Sequence, residues 1–82
     1  MASSELDAAI QKMAEQAFKT HVDLDQTPIE EVGDSLTLTE LVVGLEQRYD
    51  IAFDDTITGR VRVVRDLIVE VERLLAARPT TT

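Results

Sequence analysis

Apolar positions recur at helical spacing in three separate stretches of the chain. In the first, Leu6, Ile10, Met13 and Ala17 fall on one stripe with Phe18 beside it, the three-and-four repeat of a helix that buries one face. The helix expected from this pattern covers residues 5–19, with Ser4 as its cap and with Glu5 and Asp7 favouring its positive end. The second stretch carries the clearest repeat, Leu38, Leu41, Val42, Leu45 and Tyr49. It predicts a helix that opens at Asp34 or Ser35 and ends near Tyr49. Val64, Leu67, Ile68, Val71 and Leu75 define a third helix over residues 64–77, which Pro79 ends, and residues 78–82 are expected to fray.

Between these stretches the period breaks. "THVDLDQTPIEEVGD" reads as a long loop in which Thr27, Pro28 and Glu30 offer a capping box and a first-turn proline for one short turn. Gly33 permits a tight approach to the next element. Gly44 interrupts the second helix at a cost of about 1 kcal/mol relative to alanine, which points to a packing reason, either another helix passing close or space left for a guest. In "YDIAFDDTITGRV", Ile51 and Phe53 face inward, Asp54 or Asp55 caps a short helical turn, and Gly59 stops it. The expected fold class is all-α, a small four-helix bundle of three longer helices and one short one with a long first loop. It forms one domain over residues 1–82, of which 5–77 are ordered.

Composition fits a small helical core. Apolar residues make up 44% of the 82 positions, yet Phe18, Tyr49 and Phe53 are the only aromatics, so aliphatic side chains must supply the burial. Sixteen acids against eight bases give a net charge of −8. The distribution says more than the total: residues 23–55 hold ten acids and one base, Arg48, whereas from Thr56 onward there are five arginines and three acids. Such a middle segment repels nucleic acid and steers basic partners toward itself. Without cysteine there is no disulfide framework. The acidic first residues do not resemble a secretory leader, and no apolar run is long enough to span a bilayer, so a cytoplasmic chain without membrane association is expected.

The stretch "EVGDSLTLTEL" contains Gly-Asp-Ser-Leu, the signature block of a class of serine hydrolases. Hydrolysis would require a histidine base, an orienting aspartate and oxyanion donors around Ser35. The chain has no asparagine, one histidine, His21, in "KTHVD", and no convincing strand, so hydrolysis is not expected and His21 reads as a solvated loop residue. Asp23, Asp25 and Thr27 occupy the first positions of a calcium loop, but Pro28 stands at its central glycine and Asp34 at its bidentate glutamate. Weak divalent binding to the acidic surface is the most this supports. Taken alone, Ser35 reads best as the N-cap of a helix.

The rest of that helix changes the reading. "DSLTLTELVVGLEQRYDI" resembles the corresponding run of acyl carrier proteins, where Asp-Ser-Leu opens the second helix, Glu-Leu-Val follows and Leu-Glu-x-x-(Phe/Tyr) closes it. The likeness continues without a gap through "AFDDTITGRVRVVRDLI", and "LEQRYDI" and "GRVRVVRDL" look most like free-standing carrier proteins of actinomycete type II polyketide synthases. The resemblance implies that Ser35 Oγ receives 4'-phosphopantetheine from coenzyme A through a separate Mg²⁺-dependent phosphopantetheinyl transferase. The arm's thiol would carry acyl or polyketide intermediates as thioesters, and the protein itself would catalyse nothing. Asp34 matches the family aspartate that helps hold the transferase's metal, and Leu36 the apolar residue that partners dock against. Glu40 and Glu46 are candidates for contacts with basic surfaces of a ketosynthase, an acyltransferase and other synthase enzymes. The helices are expected to part enough to shelter a bound chain, with Val43, Gly44, Val64 and Ile68 as lining, and the protein to act as a monomer.

The chain also departs from the family pattern. Val32 replaces a leucine, nothing lies between Gly33 and Asp34, the first loop is shorter, Thr37 stands where an acid is frequent and Asp54 where a proline is common. Arg60, Arg62 and Arg65 make the far end basic, either to select different partners or to pair with Asp66 and Glu70. The alternatives are an aminoacyl or peptidyl carrier, against which Glu-Leu-Val speaks, a degenerate carrier that escapes modification, and an unmodified acidic helical interaction module.

Overall fold

The structure, a computed structural model, describes residues 3–77, with side chains from Glu5 onward. The expected fraying of residues 78–82 and the stop at Pro79 lie outside the described residues. Those residues form five helices and no strand: α1 (Ser3–Phe18), α2 (Ile29–Val32), α3 (Ser35–Tyr49), α4 (Ile57–Arg60) and α5 (Val64–Ala77). The all-α expectation holds, with the short turn foreseen in the first loop present as α2.

The three long helices supply most of the core. Ile10, Ala14 and Phe18 of α1 meet Leu38, Leu41, Val42 and Leu45 of α3 and Val64, Leu67, Ile68 and Val71 of α5, all buried. Full burial of each large aliphatic side chain contributes roughly 1.5–3 kcal/mol. On α1 the buried stripe runs one position round from the expected one: Leu6, Met13 and Ala17 pack at its flank and Ala14 faces the centre. The helix also starts at Ser3, so the position of Ser4 falls within its first turn and not ahead of it. At the other end Lys19 turns left-handed at φ 61° and donates its amide to the Glu15 carbonyl at 2.8 Å, closing the last turn.

The long first loop is tied down by buried side chains and by hydrogen bonds to α1 and α5. Val22, Leu24 and Ile29 are buried beneath it. The Val22 amide donates to Glu15 Oε2 at 3.1 Å, and Gln11 Nε2 donates to the Val22 carbonyl at 2.9 Å. Further along, the Arg65 amide donates to the Leu24 carbonyl and the Ile29 amide to the Arg62 carbonyl, both at 2.8 Å. The Arg65 guanidinium then reaches Asp7 on α1 and Asp25 in the loop, each at 2.9 Å. Three distant segments are thereby joined at the start of α5.

Several local expectations change. Thr27 does not cap α2, because its hydroxyl accepts from the Asp23 amide at 2.9 Å while Asp23 Oδ1 accepts from the amides of Asp25 and Gln26. This closed turn leaves Pro28 at the N-cap, with no side-chain cap bond. Gly59 sits inside α4, which ends when the Val61 amide meets the Ile57 carbonyl at 3.2 Å. Asp54 does shape the entry to α4, its Oδ1 accepting from the amide and hydroxyl of Thr56 at 2.7 Å. Arg60, Arg62 and Arg65 form no side-chain ion pair with Asp66 or Glu70. Arg65 takes Asp7 and Asp25, Glu70 pairs with Arg73, and Asp66 accepts the backbone amides of Arg62 and Val63 ahead of α5. No helix among the described residues is long and apolar enough to cross a membrane.

Candidate functional site

Asp34, not Ser35, caps α3. Its backbone is extended, and its Oδ1 accepts from the Thr37 amide at 2.9 Å and the Thr37 hydroxyl at 3.0 Å. Those two bonds, the amide foremost, hold the Asp34 carboxyl below the usual carboxylate range. Thr37, the departure from the family's acid, is thus the residue that receives the cap. Because the cap is filled by its neighbour, Ser35 becomes the first residue of the helix. It is exposed, and its hydroxyl makes no hydrogen bond to any described residue.

Gly33 sets where this corner lies. A Cβ at that position would stand 2.3 Å from Phe18 Cδ1 and 2.5 Å from Phe18 Cε1, so only glycine lets the chain pass this close to α1. Beside the corner lies a cleft of about 510 Å³ between α2, the start of α3 and the segment joining α4 to α5. Ile29, Leu38 and Val61 make its apolar wall, and Ser35, Asp34, Glu30, Thr58 and Arg62 also border it.

Leu36, Glu40 and Val43 share one outward face of α3 at offsets of four and three. Leu36 is 67% exposed and Val43 43% exposed, against the general burial of apolar side chains on this helix. Glu46 serves the fold instead. It is half-buried, and its Oε2 accepts from the Phe53 amide at 2.8 Å, which fixes the loop after α3. Val64 and Ile68 are fully buried in the core, and the place of a Cβ on Gly44 lies 3.4 Å from Met13 Cε of α1, an ordinary contact with the tip of a flexible side chain that does not by itself require glycine. None of Val43, Gly44, Val64 and Ile68 borders the cleft beside Ser35. The cleft residues Pro28, Ile29, Thr58, Val61 and Val63 do not stand out as site residues in the sequence, since no periodicity joins a loop turn to a segment thirty positions on.

His21 is remote from this chemistry. It is exposed, with Nδ1 2.9 Å from Glu15 Oε2, and no histidine borders the cleft. Glu15 is held below the usual carboxylate range chiefly by the Val22 amide, then by Gln11, with His21 contributing less. Among the described residues no three histidine or acidic side chains converge on a point that could hold a metal ion.

No protein-family model matches the chain. It is 32% identical over 69 residues to acyl carrier protein 3 of Ralstonia nicotianae, a match that spans 84% of this chain and 69% of that protein. Its fold is similar to the crystal structure of an acyl carrier protein from Thermotoga maritima, with a TM-score of 0.70, 27% identity and 93% of each chain covered. With an exposed, uncommitted serine opening the second long helix of an all-helical fold, and with a curated relative matched over most of both lengths, the chain belongs to the acyl carrier protein family.

Proposed function

We propose that this chain carries acyl intermediates as thioesters on a 4'-phosphopantetheine arm attached to Ser35 Oγ. The observation that carries the reading is the division of labour at the start of α3: Asp34 takes the capping bond, and Ser35 is left exposed with its hydroxyl free. The residues present fit the group. A phosphodiester on Ser35 would lie at the amide-rich, positive end of a fifteen-residue helix, and the cleft beside it offers both apolar and polar walls. Once attached, the arm would supply a terminal thiol on which acyl groups are held.

This chain's own residues then have three roles. Asp34 takes both Thr37 bonds on the one oxygen, Oδ1, which leaves Oδ2 out of the Thr37 cap, as suits a carboxylate that helps hold the metal of a phosphopantetheinyl transferase. Leu36 and Glu40 present an apolar contact and a charge on the same exposed face, a combination suited to ketosynthase, acyltransferase and other synthase surfaces that are basic around an apolar socket. Glu46 would reach such a partner only by releasing the Phe53 amide. Sheltering of a bound chain by Val43, Gly44, Val64 and Ile68 requires α3 and α5 to part, because Val64 and Ile68 have no exposed surface here. Chemical shifts of these residues that stay unchanged on acyl loading would refute it. "LEQRYDI" and "GRVRVVRDL" support a polyketide rather than a fatty acid cargo.

Intact mass decides the main point. Incubated with a broad-specificity transferase and coenzyme A, the protein gains one pantetheinyl group and Ser35→Ala gains none. Absence of any gain with several such transferases overturns the reading and leaves a degenerate carrier that escapes modification or an unmodified acidic interaction module.

A further inference from the structure

Among the residues bordering the cleft beside Ser35 there is one cation, Arg62, and there are two acids, Glu30 and Asp34. The other arginines of this end among the described residues are engaged: Arg65 by Asp7 and Asp25, Arg73 by Glu70, and Arg60 by the Thr56 hydroxyl. The Arg62 guanidinium makes no ion pair or hydrogen bond with any described residue, although its backbone is held on both sides. Its amide donates to Asp66 Oδ2 at 2.8 Å, and its carbonyl accepts from the Ile29 amide at 2.8 Å. A free, exposed guanidinium is therefore mounted on a fixed point at the cleft edge, tied to both α2 and α5.

The start of α3 has use for such a group. Both Thr37 donors there already serve the Asp34 carboxylate, so the positive helix end is shared with a resident anion. A phosphodiester on Ser35 would add a further negative charge next to Asp34, on a cleft that Glu30 also borders, in a chain of net charge −8. Like charges this close repel unless a cation stands among them. Guanidinium answers that need, since its planar fork of donors matches two phosphate oxygens at once. We infer that Arg62 grips the phosphodiester joining the arm to Ser35, so that the first atoms of the arm are held against the cleft and do not swing freely. The inference rests on the modification of Ser35 proposed above.

The test uses the full chain, loaded by a transferase with coenzyme A and checked by intact mass. On loading, the Arg62 Nε–Hε resonance is expected to move further than those of Arg60 and Arg65. In the loaded protein the phosphorus-31 resonance is expected to be displaced by Arg62→Gln, to return toward the wild-type position in Arg62→Lys, and to stay unmoved in Arg60→Gln. Arg62→Gln keeps the two backbone bonds that fix this residue, and the wild-type comparison before and after loading does not depend on any variant. No mass gain overturns the modification of Ser35 and this inference with it. A mass gain with unmoved Arg62 and phosphorus-31 signals overturns the grip alone, as does an Arg62 signal that moves only when a carboxylate-bearing acyl group is loaded, which would assign the arginine to the cargo.

Discussion

Asp34 and Ser35 differ by one position along the chain and by everything in their bonding. Asparagine caps a helix as well as aspartate does, and alanine does not. Asp34→Asn is therefore expected to retain most of the melting temperature and Asp34→Ala to lower it, as thermal unfolding followed by circular dichroism will show; equal losses would mean that the charge and not the capping bond holds this corner. The same bonds set a pH dependence. Asp34, Glu15 and Asp54 each have a carboxyl held below its usual range, chiefly by the amides of Thr37, Val22 and Thr56 respectively. Because the folded values lie below the unfolded ones, the unfolded chain takes up protons first as pH falls. The stability from these groups is complete above the ordinary carboxylate range of about 4 and is lost as pH drops through and below it. Urea unfolding midpoints are expected to hold level on the neutral side of that window and fall within it, less steeply for Asp34→Asn. Next to the cap, Gly33→Ala would drive a methyl group to 2.3 Å from Phe18 Cδ1. The ring must shift inside a packed core, at roughly 1–3 kcal/mol, which urea unfolding would register. Shortening Phe18 to leucine in the same chain is expected to recover part of that loss.

At the scale of elements, one side chain from the far end of the sequence, Arg65, ties the first loop to both α1 and α5. Arg65 bonds Asp7 and Asp25, which hold its proton more tightly than usual, while its own amide takes the Leu24 carbonyl. These side chains are a quarter or more open to water, so the pairs are each of modest value; Arg65→Ala is expected to cost on the order of 1 kcal/mol in all. Its sharper effect is local: amide exchange across residues 22–29 is expected to quicken while that of α3 does not, and uniform quickening would show that the tie is not specific to the loop. This is also where reading from sequence reaches its limit. The stripes of α3 and α5 are legible because each helix carries its own period, and Gly33 is legible because only a close approach explains it. The stripe of α1 is legible in outline, but Ala14 and Phe18 face the centre where the period points to Met13 and Ala17. Thr27 fits a capping box since the motif is local, yet Asp23 captures its hydroxyl. The ties of Arg62 and Arg65 to Ile29, Leu24, Asp7 and Asp25 cannot be read at all, because they join segments whose approach depends on the finished core. Of the candidate site, Ser35 and Asp34 are visible as a motif. The division of roles between them is not, since either residue type caps a helix and only the backbone decides which one does.

The whole molecule sets long-range repulsion against short-range pairing. Its net charge is −8, concentrated in residues 23–55, where ten acids face one base, while its ion pairs are contacts of about 2.9 Å such as those of Arg65. The molecule measures 42 × 26 × 17 Å. At 0.01 M salt the screening length is about 30 Å, longer than two of these dimensions, so acids across the molecule feel one another; at 0.15 M it is about 8 Å, shorter than all of them. Adding salt over this range therefore removes most of the mutual repulsion of distant acids and weakens adjacent hydrogen-bonded pairs much less. Repulsion opposes the compact state more than the expanded one, so the melting temperature is expected to rise with salt between these concentrations. The rise should be smaller in a chain whose middle charge is reduced by Glu40→Gln and Asp55→Asn, two exposed acids that hold no part of the fold together among the bonds described. A melting temperature that falls with added salt would show instead that the Arg65 and Arg73 pairs outweigh the collective field.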